Sequence, residues 1–403
     1  MNNATPALLA LLLVCSLVAI PVAAGPGDGA YQVQPVIENR TTDDSAVQEI
    51  PNRLSLVDSE NTSHERATYG NDLGALMASH DVELRTDHAR YVHLDREFAD
   101  ANTDERRKMV ESVRGQIQER IKELKSREKR AVKAHASGSL STAELLQVLL
   151  QNHRDAATLS DALDELEEQA NRIPGYSLSA DANQTLLEMH RTPVRSHLES
   201  AARGQSDDAR IVVETSSDGY VLSYLGSDYV REVTRFDNRR VPNHVSQFDD
   251  VTDALEYTKE QYPRVYEDSP PVSAAGRGSI NLYQIQTTHN QGRLEVFLDG
   301  GTGSVYREVQ VLRPGRLPTE TQTVWSENGL NLTVNETPLD GPVEVTVVDA
   351  DTGEPVQATV TVDGFEIGTT RADGTLRFVP TAGKYQLTVE TDSGSIEVPV
   401  PDY

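Results

Sequence analysis

Histidine and carboxylate come closest together at His80, Asp81, His88, His93 and Asp95, the densest set of candidate metal ligands in the chain. On one helix His88 and Asp95 share a face at i, i+7 while His93 points elsewhere. The set therefore reads better as surface histidines on an acidic helix than as a coordination shell. Asp349, Asp351 and Gly353 have the spacing that opens a calcium loop, but the bidentate Glu that closes such a loop is missing, and a β-turn is the simpler reading. Gly300-Gly301-Thr302-Gly303 has the composition of a phosphate-cradling loop. A strand pattern follows it where phosphate binding needs a helix N-terminus, so it reads as a hairpin turn. GxSxG, HExxH and the nucleotide-loop pattern are absent. With 63 Asp and Glu in the chain, no single pair can be picked out as a glycosidase site. These residues point to no catalytic set, no metal and no cofactor. The remaining candidate sites are glycan acceptors, the Asn-x-Ser/Thr triplets at Asn39, Asn61, Asn183, Asn331 and Asn335; the last two lie beside Pro338 in what reads as an exposed linker.

The charge balance narrows the class further. Against 63 acidic residues stand 37 basic ones, a formal net charge of -26. A carboxylate-dense surface lacks the basic face that a phosphate backbone requires, which excludes nucleic acid as a partner. Seven of the basic residues are Lys and the rest Arg. This acid-rich, Lys-poor composition resembles that of haloarchaeal proteins and implies a fold that needs salt to screen its own repulsion.

Residues 7–24, ALLALLLVCSLVAIPVAA, are almost wholly apolar and end on Val22-Ala23-Ala24, a signal-peptidase pattern. The n-region lacks Lys and Arg, and an uncleaved anchor is the alternative, since 18 apolar residues can just span a bilayer. Cys15 is the chain's one cysteine and lies inside this segment, so a processed chain has no thiol and no disulfide. No later run reaches membrane length. Residues 25–63 are rich in Gly, Asn, Thr, Asp and Ser and read as a flexible spacer.

The elements behind these residues change period along the chain. From 64 to 203 the pattern is helical, with a helix over 82–99 and a long one from a cap at Thr103 or Asp104 to about Ala136. After the turn Ser137-Gly138-Ser139, Ser141 and Glu144 form a capping box for a return helix. There Leu145, Leu149, Ala156, Leu159, Leu163, Leu166, Ala170 and Ile173 recur at spacings of four and three, with Asn152 in the one polar slot. That heptad seam predicts a coiled-coil-like helical hairpin. Residues 104–136 hold eleven Arg and Lys against six Asp and Glu, a basic face expected to pair with the acidic return helix. From 207 to 316 strands dominate. Val212 and Val221 flank an Asp218-Gly219 turn, 249–262 form one amphipathic helix, 267–278 are breaker-rich, and strands at 282–285, 294–298 and 305–309 follow.

The order helix, strand, Gly turn, strand and Asp-x-x-Thr-Gly turn into a last strand resembles a PepSY domain. Its carriers are Ala254, Tyr257, Tyr283, Val296, Asp299, Thr302, Gly303 and Val305. The resemblance implies an exported protein that regulates or inhibits a peptidase, without catalytic residues. Residues 343–398 are β throughout and resemble the carboxypeptidase regulatory-like family, carried by Val345, Val347, Asp349, Thr352-Gly353, Pro355, Val360, Asp373-Gly374, Phe378, Gly383 and Tyr385. That resemblance implies a transthyretin-like or immunoglobulin-like accessory β-sandwich.

The expected protein is multi-domain α+β. A signal peptide (1–24) and spacer (25–63) precede an N-terminal helical hairpin domain (64–203). A middle α+β domain with a helix on an antiparallel sheet (207–316) and a linker (317–340) lead to a C-terminal β-sandwich (341–403). The expected function is non-enzymatic: an exported cell-envelope or extracellular protein that binds a protein or peptide partner and has no membrane span after signal removal. An inhibitor or maturation factor of an exported peptidase is one alternative, and an unrecognised hydrolase in the helical region is another.

Overall fold

The computed structural model describes residues 34–36, 53–56, 62–72, 98–239, 244–337, 341–381, 383–392 and 394–400. The apolar segment 7–24, most of the expected spacer, residues 82–97 of the helix expected over 82–99, the candidate ligands His80 to Asp95, and Asn39 and Asn61 lie outside the described residues; residues 98 and 99 form a turn and not the end of a helix.

The chain is a multi-domain α+β protein. Strands β1 (Gln34–Val36) and β2 (Ser63–Tyr69) come first. Four helices follow, α1 (Thr103–Ala136), α2 (Thr142–Asn171), α3 (Asp181–Glu188) and α4 (Pro193–Ala202). Then come β3 (Ala209–Ser216), β4 (Gly219–Leu225), β5 (Tyr229–Arg235), α5 (Val251–Gln261), α6 (Pro263–Tyr266), β6 (Val272–Arg277), β7 (Leu282–His289), β8 (Gly292–Asp299) and β9 (Ser304–Leu312). These nine strands form one antiparallel sheet in the order β1-β2-β3-β4-β5-β9-β8-β7-β6.

Two of these strands fall where the composition predicts none. Residues 34–36 belong to the expected spacer, and 63–69 open the region expected to be helical. The reason is period: in Glu65-Arg66-Ala67-Thr68-Tyr69 only Ala67 and Tyr69 are buried, a two-residue alternation masked by polar neighbours. Likewise 272–277, inside the breaker-rich stretch, becomes an edge strand once Pro270 and Pro271 have ended the preceding loop.

The helical hairpin forms through its caps. Asn102 caps α1 by accepting from Asp104 N and Glu105 N while Glu105 reaches back to Asn102 N, so the cap precedes the expected Thr103. Ser141 and Glu144 make the same box on α2, as their spacing predicts. Gly138, at φ +73°, supplies the left-handed turn between them. Arg107 Nη2 donates to Pro174 O at one end and Asn152 Nδ2 to Leu124 O further in, which fixes the helices antiparallel. The half of the hairpin far from the turn has its own core of Ile117, Leu124, Leu159 and Leu163. Its near half packs Val132, Leu145, Leu146, Leu149 and Leu150 with α4 onto β3 and β4. Helices α5 and α6 cover the opposite face at Ile285, Val296 and Leu298.

The C-terminal module is a sandwich of two four-stranded sheets. One holds β10 (Glu320–Glu327), β11 (Leu330–Glu336), β12 (Val343–Asp349) and β15 (Thr375–Phe378). The other holds β13 (Thr359–Val362), β14 (Phe365–Thr369), β16 (Tyr385–Glu390) and β17 (Ser395–Val400). Residues 320–336 are thus strands of the sandwich and not a linker. Leu330, Leu332 and Val334 alternate inward and join Val345, Val360 and Leu387 in one core. Where the sandwich meets the large sheet, Arg210 Nη1 donates to Ile367 O, and Tyr229, Leu312 and Val379 cluster. Among the described residues no helix is long and apolar enough to cross a membrane.

Candidate functional site

Two polar assemblies sit on the face of the large sheet that the hairpin and α4 cover, one sealed and one open. The sealed one begins at Glu128. In α1 the inward stripe runs Ile117, Ile121, Leu124, Glu128, Ala131, His135, so a carboxylate occupies an apolar slot. Arg195 of α4 answers it, with Nη2 2.7 Å from Glu128 Oε2, 3.0 Å from Glu232 Oε1 and 2.6 Å from the Tyr220 hydroxyl. Arg307 of β9 places Nη2 2.9 Å from Glu128 Oε1 and donates from Nε to Thr234 Oγ1 at 2.8 Å. His190 Nδ1 lies 3.1 Å from Glu128 Oε2, and the Thr192 hydroxyl donates to Glu232. All of these side chains are buried, with Arg195 and Glu232 fully excluded from solvent.

Two carboxylates and two guanidiniums balance one another inside the core. Burial pushes Glu128 up, but Arg195, Arg307 and His190 outweigh it and hold its carboxyl well below the usual range. Glu232 is lowered in the same way against its burial, chiefly by Arg195 and Arg307. Burial lowers His190 and, with the two arginines adding to it, outweighs the upward pull of Glu128. A paired, sealed network of this kind orients elements and offers no face to a ligand.

The open assembly adjoins it. A groove of about 850 Å³ lies between helices α3 and α4 and strands β6 to β8 of the sheet. Strand alternation builds its floor: Ser273 and Ala275 of β6, Gln284 and Gln286 of β7, and Arg293, Glu295 and Phe297 of β8 share one face. Glu188, Arg191, Ser196, His197 and Ser200 form the helical wall, and Thr192 links the groove to the sealed network through Glu232. Gln284 and Gln286 both donate to Glu295 Oε1, at 2.8 and 2.6 Å, so the floor is already ordered. The wall hydroxyls turn back on their own helix, Ser196 to Thr192 O and Ser200 to Ser196 O. His197 stacks on Tyr224 with ring centroids 4.2 Å apart. This is a surface of ordered amides, hydroxyls and guanidiniums, suited to recognition by hydrogen bond and charge.

The residues singled out by type and spacing lie elsewhere. Asp349 Oδ1 accepts from Asp351 N and Thr352 N, which makes the calcium-like spacing a turn closed by its own backbone. Asp299 of the Gly-rich turn accepts from Thr302 N, pairs with Arg239, and hands Gly303 its φ of +65° into β9, a hairpin turn. Asn183 is half-buried on α3, and Asn331 and Asn335 are half-buried on β11, a strand where a linker was expected. Among the described residues no three His, Cys, Asp or Glu side chains converge as metal ligands. The groove escapes spacing arguments because its lining comes from six separate stretches of chain. Glu128 had a signal: it falls in the three-four register of a helix otherwise read as solvated charge.

Three family models match the chain. One described as a domain of unknown function (DUF7096) covers residues 1–207, and one described as a family of unknown function (DUF7094) covers 211–318. An archaeal fibronectin-III type-like domain covers 321–398. Over the stretch that resembles PepSY the matching model is therefore DUF7094, and over the carboxypeptidase regulatory-like stretch it is the archaeal fibronectin-III type. No curated protein and no solved structure matches the chain. Since the first model accounts for more than half of the 403 residues, the chain belongs to the DUF7096 family.

Proposed function

We propose that this is an exported, non-catalytic binding protein of the archaeal cell envelope, and that the groove over β6–β8 receives a polypeptide partner. The observation that carries the reading is the groove itself: its floor is fixed by side-chain amides, its wall serines are committed to helix carbonyls, and its histidine is stacked on a tyrosine. A nucleophile needs its base within hydrogen-bond reach, and here neither serine is paired with His197. That favours recognition over the hydrolase alternative. The apolar segment 7–24 supports export, and a fibronectin-III type module at 321–398 is consistent with an extracellular setting. The helical hairpin and the sandwich then act as mounts on either side of the sheet.

The test is a photo-crosslinking amino acid placed at Gln286 on the groove floor, with Glu256 on the far side of α5 as the control, in the full chain in its native host. A discrete polypeptide adduct from position 286 and none from 256 is the expected result. Equal labelling from both positions, or none from 286, would refute the groove as the binding site. An adduct identified as an exported peptidase would turn the reading toward its inhibitor or maturation factor.

A further inference from the structure

Arg191, Arg277 and Arg293 all line the groove, and none has a carboxylate partner among the described residues. Among the described residues Arg191 reaches Ser160 Oγ at 3.3 Å, Arg277 donates from Nε to Thr185 Oγ1 at 3.0 Å, and the exposed Arg293 has no hydrogen-bond or ion-pair partner. In a chain where 63 carboxylates outnumber 37 cations, this groove reverses the balance: three guanidiniums stand against the two carboxylates of Glu188 and Glu295, and Glu295 is already engaged by Gln284 and Gln286. Beside them runs an open sheet edge. Strand β6 pairs only with β7, so its outer N–H and C=O groups meet no strand among the described residues. Its sequence Val272-Ser273-Ala274-Ala275-Gly276-Arg277 has no bulky side chain before Arg277 to hold another backbone away. Lys or Pro within an edge strand is one common guard against such pairing; β6 follows Pro270-Pro271 but holds neither between Val272 and Arg277.

We infer that the groove's ligand is an acidic segment of a partner polypeptide, added in extended form to the β6 edge with carboxylates turned toward Arg277. This rests on the binding function proposed above and names its ligand class. Backbone pairing along six residues supplies affinity without reading sequence, and Arg277, next to the added strand on the groove face, supplies the choice of charge. Arg191 and Arg293 lie further across the groove and act through their field, speeding encounter with an anionic segment and repelling a basic one.

The full chain is titrated with four blocked eight-residue probes: alternating Asp-Val, alternating Asn-Val, the Asp-Val peptide N-methylated at alternate residues, and an oligogalacturonate. The Asp-Val peptide should bind about tenfold or more tighter than Asn-Val, as expected for one charge-assisted contact. N-methylation should abolish binding, and Arg277→Gln should erase the preference for Asp over Asn. Because Arg277 also holds Thr185, Arg293→Gln serves as a second variant; it should slow association of the Asp-Val peptide severalfold and leave the melting temperature unchanged. Equal binding of Asp-Val and Asn-Val would overturn the acidic class and leave the groove reading standing. Oligogalacturonate binding as tightly as Asp-Val, with N-methylation harmless, would make the site a polyanion patch and overturn strand addition. No binding by any probe would count against both inferences.

Discussion

At the scale of single residues, the determining feature is a set of charges placed in the core and paired there. Arg195→Met removes the cation shared by Glu128 and Glu232 and leaves two buried carboxylates with Arg307 alone, so it should cost about 3–5 kcal/mol in denaturant unfolding. A loss under 1 kcal/mol would mean the network is hydrated and loosely held. Acid should act on the same residues in a defined order. His190 titrates below its ordinary 6.5 when folded, because burial and the arginines outweigh the favourable charge of Glu128, so the unfolded chain takes up a proton that the folded chain refuses. Its contribution is complete above 6.5 and is lost as pH falls through the folded value. Glu128 and Glu232 are also depressed, from 4.5, and their contribution is lost at still lower pH. Urea midpoints should therefore begin to fall near pH 6.5, and His190→Gln should shrink that first step; His197 and His289, also lowered by burial, keep it from vanishing. Asn152 offers a contrasting case. It was legible as the polar slot in a leucine seam, and as a lone buried amide its replacement by Leu would be expected to stabilise. Its amide donates to Leu124 O at 3.1 Å and its oxygen accepts from Arg127 Nε at 2.6 Å, so Asn152→Leu should instead lower the melting temperature, at a cost of about 1–2 kcal/mol.

At the scale of elements, strands betray themselves by alternation and lose that signal when their outward residues are the informative ones. The hairpin, its capping box at Ser141-Glu144 and helix α5 were readable because apolar residues recur at three and four and caps bracket them. Strands β2, β10 and β11 were not, because Thr, Asn, Ser and Glu dominate their exposed faces and imitate loop composition, and β6 was not because its small residues follow Pro270-Pro271 and read as a breaker. The oversight changes what can fold alone. A fragment of residues 341–403 lacks β11, whose Leu330, Leu332 and Val334 pack against Val345 and Val347, and should give a disordered circular dichroism spectrum. A fragment of residues 319–403 restores both missing strands and should melt cooperatively. Cooperative folding of the shorter fragment would show that β10 and β11 are peripheral to the sandwich.

At the scale of the whole molecule, two family models meet near residue 210 but the fold does not divide there. Strand β2 from the first pairs along β3 of the second from Ser63–Thr215 to Tyr69–Ala209. The sealed network likewise takes Glu128, His190 and Arg195 from one and Tyr220, Glu232 and Arg307 from the other. Chains cut between Asp207 and Asp208 should be insoluble when made separately and should form one complex when made together; independent folding of either half would refute a shared core. The same junction explains why the groove was illegible in the sequence, since its helical wall comes from one side of it and its strand floor from the other. Its role as a peptide site is tested most directly by hydrogen–deuterium exchange of the full chain with and without the alternating Asp-Val peptide. The account predicts slowed exchange at the amides of residues 272–277 together with the wall at 188–200, and no change across α5. Protection confined to the basic face of α1, or no protection at β6, would contradict it.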